Sequence, residues 1–236
     1  TINDCINKAH YPHRITIGVC LQDTTEKMIE VNKEIKNIVS KYNRSHKLKL
    51  NDIKVYDLHY KKATGAGLAR HIIQTKLYNN EDFYLQIDSH TKFNNIWDIL
   101  AIKQYQQALD FNKNIINDIS SNDSNMLKYN NIVLSTYPPD CKHLNYLEHQ
   151  INSMPVPISF LDNTIRHTGY PFPISEYSIR GYWICGGFIF APSKWVNQIQ
   201  IEKDIPFNGE EDVITINSYL NGWNIYIPNI CICYHN

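Results

Sequence analysis

The sequence predicts one α/β domain, residues 1–236, with a mostly parallel central sheet flanked by helices. The chain has 236 residues, 43% hydrophobic and 19% charged, which is typical of a globular domain with a large buried core. Strand-like apolar stretches alternate with amphipathic helical stretches in the first half. Parallel strands joined by helical crossovers produce this alternation.

The elements of the first half follow from hydrophobic spacing. Met28 and Ile35 belong to a helical repeat, whereas Leu85 and Ile87 lie in a short run of β-formers. The predicted elements are the end of a helix at 1–8, strand 14–20, helix 25–42, strand 53–58, helix 68–78, strand 83–88 and helix 96–111.

The second half is less regular. Residues 112–131 are rich in Asn and Ser, which favours a surface loop, and 141–179 contain four prolines without a clear period. A loop as long as 141–179 is usually functional, so we expect acceptor recognition there. The remaining predictions are strands 132–136, 186–190, 225–227 and 230–234, a helix starting at 192–196, and helix 210–220.

Charge and cysteine content exclude some function classes. The 23 basic and 23 acidic residues give a formal net charge of +0, so no nucleic-acid partner or anionic membrane surface is expected. No apolar run is long enough to span a bilayer. The six cysteines lack zinc or redox spacing, and reduced thiols of this kind favour a cytoplasmic location.

The predicted strand 83–88 ends in Asp88, and His90 follows two residues later. Ligands of open α/β sheets bind beyond the carboxyl ends of the strands, so one hypothesis is that both side chains hold a divalent metal. The alternative is that Asp88 caps a turn and His90 is an ordinary surface histidine. Taken alone, the pair favours the alternative.

Two glycine-containing stretches also stand out. Gly65 and Gly67 open a helix that carries Arg70 one turn later, where a phosphate or a base could be met. The stretch matches neither a P-loop nor a G-x-G-x-x-G fingerprint, and a plain helix start explains it equally well. Gly186 and Gly187 permit close approach of a ligand or of another backbone, or simply form a tight turn.

Carboxylates cluster at the start of the predicted helix 210–220. Glu210, Glu211 and Asp212 suit the positive end of the helix dipole, so capping alone could explain them. The functional interpretation is that one of them binds sugar hydroxyls beside a metal. His235, after the last strand, is a candidate third metal ligand.

Several stretches, in order, resemble glycosyltransferase family 60. They read ATGAGLARHIIQTKLYNNEDFYLQIDSHTKF, LSTYPP, ICGGFIFAP, FNGEEDVITINSYLNGWNIYIP and YHN. They are similar, more distantly, to the polypeptide N-acetylgalactosaminyltransferases. The resemblance implies a GT-A (Rossmann-like) fold. It also implies a retaining enzyme that moves N-acetylglucosamine from a UDP-sugar to a protein or glycan hydroxyl.

The resemblance also implies a metal site. Asp88 and His90 match the family's D-x-H motif, and His235 matches its late histidine. Mixed carboxylate and imidazole ligands suit Mn²⁺ better than Mg²⁺. The ion would neutralise the departing diphosphate as a Lewis acid.

Further roles carry over by position. Arg70 would contact the nucleotide, and Gly186 and Gly187 would line the donor sugar. Glu211, with Glu210 as second choice, would be the catalytic carboxylate that binds sugar hydroxyls or stabilises oxocarbenium charge. No general base is assigned, because the departing phosphate can itself take the acceptor proton. Tyr137 and Trp183 are weaker candidates, whose aromatic rings would pack against the sugar or the acceptor.

Both ends of the chain depart from the resemblance. Family members begin with a uridine-binding strand before the one at 14–20, and they continue beyond His235. We therefore expect a chain truncated at both ends, whose sheet has an edge or a gap where the first strand would lie. Two alternatives stay open: a non-catalytic nucleotide- or glycan-binding module of the same fold, and a metal-dependent nucleotidyltransferase. The second would need more basic residues around a triphosphate.

Overall fold

The computed structural model describes residues 1–118, 130–143, 152–161, 164–171 and 175–236. Over these residues the chain is a mixed α/β domain. Its helices are α1 (Ile2–Lys8), α2 (Thr25–Ser45), α3 (Ala66–Ile72), α4 (Trp97–Asp118), α5 (Ser193–Gln198) and α6 (Glu210–Leu220). Its strands are β1 (Thr16–Asp23), β2 (Asp52–His59), β3 (Phe83–Ile87), β4 (Thr91–Phe93), β5 (Ile132–Ser135), β6 (Ser153–Leu161), β7 (Thr164–Pro171), β8 (Ile179–Arg180), β9 (Phe188–Pro192), β10 (Asn224–Ile227) and β11 (Cys233–His235).

The central sheet is mixed, so the prediction of a mostly parallel sheet is wrong. In the described part of the chain its order is β3-β9-β5-β10-β8. Strand β9 runs antiparallel to both β3 and β5, β10 is parallel to β5, and β8 is antiparallel to β10. A parallel neighbour requires a long crossover, usually a helix. Between β5 and β9 the chain instead forms the β6–β7 hairpin.

Smaller sheets flank the central one. Strands β1 and β2 pair in parallel from Thr16↔Asp52 to Asp23↔His59. Among the described strands, β1 pairs with β2 alone and β3 with β9 alone, so each has one unpaired edge. Strands β4 and β11 pair antiparallel, which places His235 opposite Thr91.

Two apolar cores cover the two faces of the central sheet. Along β5, Ile132 and Leu134 belong to one core and Val133 to the other, as the alternation of side chains along a strand requires. Helix α4 covers the first core through Trp97 and other residues, and α5 covers the second through Trp195. The site described below lies at one end of this packed sheet.

Two stretches predicted as loops contain a helix or strands among the residues that the structure describes. Helix α4 continues to Asp118, and Asn112 within the supposed loop is only 1% exposed and accepts a hydrogen bond from the Tyr226 hydroxyl at 3.0 Å. That buried hydrogen bond outweighs the weak helix propensity of Asn. Residues 119–129 of the same prediction lie outside the described residues.

Most of the described residues in the predicted loop at 141–179 form a β-hairpin, and residues 144–151, 162–163 and 172–174 of that prediction lie outside the described residues. Strands β6 and β7 pair antiparallel with a register shift between Pro157 and Ser159. Proline is tolerated in edge strands and at irregularities, and in a two-stranded hairpin both strands are edges. The prolines therefore hid the strands from the sequence analysis.

Where the structure describes the chain, it contains no helix long and apolar enough to cross a membrane.

Candidate functional site

The site forms where β3 ends and β9 begins. The register Ile87↔Phe188 places the residue after β3, Asp88, beside the residue before β9, Gly187. A Cβ on Gly187 would lie 2.7 Å from Asp88 Oδ2, and one on Gly186 would lie 2.7 Å from Arg70 Nη1. A side chain at either glycine would therefore displace the charged end of Arg70 or of Asp88.

Asp88, His90 and His235 come together as predicted. Each offers one potential ligand atom, and these atoms all lie within 4.8 Å of one another. The Nε2 atoms of His90 and His235 are 2.7 Å apart, and His235 Nε2 is 3.7 Å from Asp88 Oδ2. One carboxylate and two neutral imidazoles are a donor set that fits a divalent transition metal.

Hydrogen bonds to backbone carbonyls fix the loop that carries these ligands. The Thr91 hydroxyl donates to the Asp88 carbonyl at 2.7 Å, and the Asn236 N–H donates to the His90 carbonyl at 2.9 Å. The β4–β11 pairing holds His235 in register with the loop. The three candidate ligands therefore sit on a hydrogen-bonded scaffold rather than on free loop ends.

Arg70 connects this cluster to helix α6. Its side chain is 13% exposed and pairs with Asp88 Oδ1 at 2.7 Å and with Glu210 Oε2 at 2.6 Å. Burial disfavours the guanidinium charge, but the two carboxylates outweigh burial and hold the pKa of Arg70 above its ordinary value. Arg70, predicted to contact the nucleotide, is thus placed directly behind Asp88.

Glu210 points into the protein. Its side chain is 2% exposed, and burial raises its pKa above the ordinary value although Arg70 acts in the opposite direction. The second oxygen, Oε1, is buried without a hydrogen-bond partner among the described residues. This geometry suits Glu210 to fixing the position of the Arg70 guanidinium.

Glu211 is held from two sides. Its Oε1 accepts the Gly186 N–H at 2.7 Å, and its Oε2 accepts the Tyr137 hydroxyl at 2.7 Å. Burial, followed by the charge of Glu211, raises the pKa of Tyr137 above its ordinary range. Tyr137 therefore remains a hydrogen-bond donor at any physiological pH and contributes its hydroxyl as well as its ring.

Sequence reasoning missed His167 and the role of Asp212. Trp183 Nε1 donates to Asp212 Oδ1 at 3.0 Å, and His167 Nε2 lies 3.1 Å from the same oxygen. His167 Nδ1 is 3.7 Å from Glu211 Oε2. Nothing in the spacing of the sequence points to His167, which lies on β7 inside the stretch predicted as a loop.

All the predicted site residues fall into one chain of neighbours. In order of contact they are His90, His235, Asp88, Arg70 and Glu210 on one side, and Gly187, Gly186 and Glu211 on the other. The site thus combines a candidate metal-binding end with a carboxylate end, joined through Arg70 and the glycine pair.

Fold and site together define a mixed α/β protein with a candidate cation site beside a carboxylate cluster. The sequence model of the family described as "Glycosyltransferase (GlcNAc)" matches residues 29–236. The match covers most of the chain, so the chain belongs to this glycosyltransferase family, whose members require a sugar donor and an acceptor. None of the curated proteins matches this chain.

Proposed function

We propose that the protein is a metal-dependent, retaining glycosyltransferase. It would move N-acetylglucosamine from a UDP-sugar to a protein or glycan hydroxyl. The observation that carries the proposal is the Asp88–His90–His235 cluster next to the Arg70-held carboxylates, in a chain of the GlcNAc glycosyltransferase family. The resemblance to glycosyltransferase family 60 supports the UDP-sugar donor and the retaining course.

The two carboxylate oxygens of Asp88 face different neighbours. Arg70 binds its Oδ1, which leaves Oδ2 directed to the side of His235. Asp88, His90 and His235 would hold Mn²⁺, which when bound supplies the positive charge that neutralises a departing diphosphate. The ion pair with Arg70 fixes the rotamer of Asp88, as a neighbour of a metal ligand commonly does.

Glu211 is the carboxylate that we assign to the donor sugar, with Glu210 as the second choice. Two hydrogen bonds, from Gly186 and Tyr137, fix its position, and preorganised groups stabilise developing charge best. It would accept hydrogen bonds from sugar hydroxyls and stabilise oxocarbenium charge. We assign no residue as general base, because the departing phosphate oxygen takes the acceptor proton in this scheme.

The first test is a donor screen that measures released UDP across UDP-sugars, with and without Mn²⁺. We expect release from UDP-N-acetylglucosamine that depends on Mn²⁺. Release that is equal without the metal would contradict the proposed metal dependence. Mn²⁺-dependent binding of UDP-sugars without turnover would instead support the alternative of a non-catalytic binding module.

A matched pair of variants tests the metal ligands. We expect Asp88→Asn to abolish Mn²⁺-dependent UDP binding in calorimetry, since an amide is a poor metal ligand and a weak partner for Arg70. Asp82→Asn, at the exposed opposite end of β3, is the control and should bind as the wild type does. Unchanged UDP binding by Asp88→Asn would overturn the assignment.

A further inference from the structure

His167 lies between the two carboxylates at the start of α6. Its side chain is only 7% exposed. Its Nε2 is 3.1 Å from Asp212 Oδ1, but the two are not aligned as a hydrogen bond, and Nε2 has no other partner among the described residues. Its Nδ1 faces Glu211 Oε2 at 3.7 Å. A buried imidazole is thus directed at one carboxylate from each ring nitrogen.

This arrangement is costly without a purpose. A buried polar group that lacks a hydrogen bond destabilises the folded state. Ionised carboxylates only accept hydrogen bonds, so a ring that carries hydrogens on both nitrogens can donate to Glu211 and to Asp212.

Other donors converge on the same two carboxylates. The Gly186 N–H and the Tyr137 hydroxyl bind Glu211, and Trp183 Nε1 binds Asp212. The rings of His167 and Trp183 also contact each other, with centroids 5.2 Å apart. The β6–β7 hairpin therefore adds His167 to the hydrogen-bond donors around these two carboxylates.

The hairpin that carries His167 is itself fixed to the site. Tyr137 and Ser153 exchange backbone hydrogen bonds at 3.0 and 3.2 Å, and Ser153 lies close to Gly169 on β7. This contact ties the hairpin to the same Tyr137 whose hydroxyl binds Glu211. Movement of the hairpin would consequently move His167 and Tyr137 together.

We propose that His167 is a positioning residue, which orients the carboxylates of Glu211 and Asp212 for the transfer reaction by donating to both. The proposal deepens the proposed function and rests on it for its kinetic part. His167 acts through Glu211, the residue assigned to the donor sugar, and touches neither the metal ligands nor, by this assignment, the reacting atoms.

Kinetics of released UDP test the positioning role. His167→Phe keeps a ring against Trp183 but cannot donate, and we expect kcat to fall about ten- to hundredfold, as for a misplaced catalytic group. The KM for the donor should change by less than about threefold, because the variant loses stabilisation of the transition state and keeps the ground-state binding of the donor. His167→Gln retains one donor and should recover part of kcat. His46→Phe, at the end of α2 and stacked on Tyr42, is the control for a lost histidine.

A spectroscopic measurement tests the contact independently of activity. The ring ¹⁵N signals of His167, assigned by their loss in His167→Phe, should shift in both Glu211→Gln and Asp212→Asn. The exposed Asp204→Asn serves as the control and should leave them unchanged. No shift in either carboxylate variant would overturn the proposal even in an active enzyme.

The outcomes separate this proposal from the proposed function. Ring shifts together with a lower kcat in His167→Phe and partial recovery in His167→Gln support both. Ring shifts with unchanged kcat overturn the positioning role. A wild-type protein that transfers no sugar overturns the proposed function, while the ring shifts still decide whether His167 binds both carboxylates.

Discussion

Asp88 divides its two carboxylate oxygens between two neighbours of different kinds. Oδ1 binds the permanently charged Arg70 at 2.7 Å, and Oδ2 faces His235 at 3.7 Å. A permanent cation on one side holds the carboxylate in a fixed orientation for the other side. At the scale of single residues, the ion pair behind Asp88 is therefore as much a part of the candidate metal site as the two histidines.

Cys5 allows a test of pH dependence at the residue scale. Burial, assisted by the charges of Asp4 and Asp98, raises the pKa of the Cys5 thiol from 9.0 to about 12. The folded protein thus holds this proton more tightly than the unfolded chain, so stability should fall as the pH rises from about 9 towards 12. At pH 10 the loss should be about 1.4 kcal/mol for this one group.

Urea denaturation of the wild type and Cys5→Ala at pH 7, 9 and 10 checks this expectation. The difference in unfolding free energy between the two proteins should shrink as the pH rises, because Cys5→Ala lacks the ionisable thiol. Cys141→Ala, which removes a less buried thiol, is the control. Parallel pH profiles of the wild type and Cys5→Ala would contradict the expectation.

At the scale of elements, α2, β3 and α6 were predictable to within a few residues. A helical hydrophobic repeat indicates α2, a run of β-formers indicates β3, and the Asn221-Gly222 stop marks the end of α6. The order of the motifs was also readable. Arg70 and Glu211 lie near the start of a predicted helix, and Asp88 and His235 lie at or just after the end of a predicted strand. Gly186 belongs to the glycine pair just before β9. Hairpin β6–β7 was not, since its prolines imitate a loop. Its contribution to the site, His167, was lost with it, because contacts between distant segments leave no local pattern.

The glycines before helices α3 and α6 allow a matched prediction about the stability cost of replacing each with alanine. Gly65 before α3 has φ +133°, and an added Cβ would lie 2.2 Å from the Pro206 carbonyl oxygen. Gly209 before α6 has φ +91° with nothing within 4 Å of the added Cβ. Gly209→Ala should cost only the left-handed strain, about 1 kcal/mol.

Gly65→Ala should cost clearly more, because the segment around Pro206 or the start of α3 must move. Chemical denaturation of the two variants beside the wild type measures the difference. Equal destabilisation by Gly65→Ala and Gly209→Ala would show that the contact with Pro206 does not constrain the start of α3.

At the scale of the whole molecule, the packed sheet and the β1–β2 pair differ in burial. All four residues of β5 and of β10 are buried, whereas β1 is half-buried to exposed along its length and has one unpaired edge among the described strands. Alternation of strands and helices in the sequence predicted an α/β domain correctly. It could not give strand direction or show that the strands divide into separate sheets, since pairing depends on distant segments.

Native-state hydrogen exchange should resolve this difference. Buried, fully paired strands open only with global unfolding, whereas less buried elements open locally. We expect amides of β5 and β10 to exchange most slowly and the paired amides of β1 to exchange measurably faster under the same conditions. Equal protection of β1 and β5 would show that the two sheets unfold as one unit.

The first and last residues lie against the same loop. The Thr1 hydroxyl donates to the Ser89 carbonyl at 2.5 Å, and the Asn236 N–H donates to the His90 carbonyl at 2.9 Å. A polyhistidine purification tag fused to either residue would therefore start within a few residues of the candidate ligands and add imidazoles that compete for the same ion. Affinity measurements with Mn²⁺ call for tag-free protein, or for a purification handle placed on the exposed surface of α2.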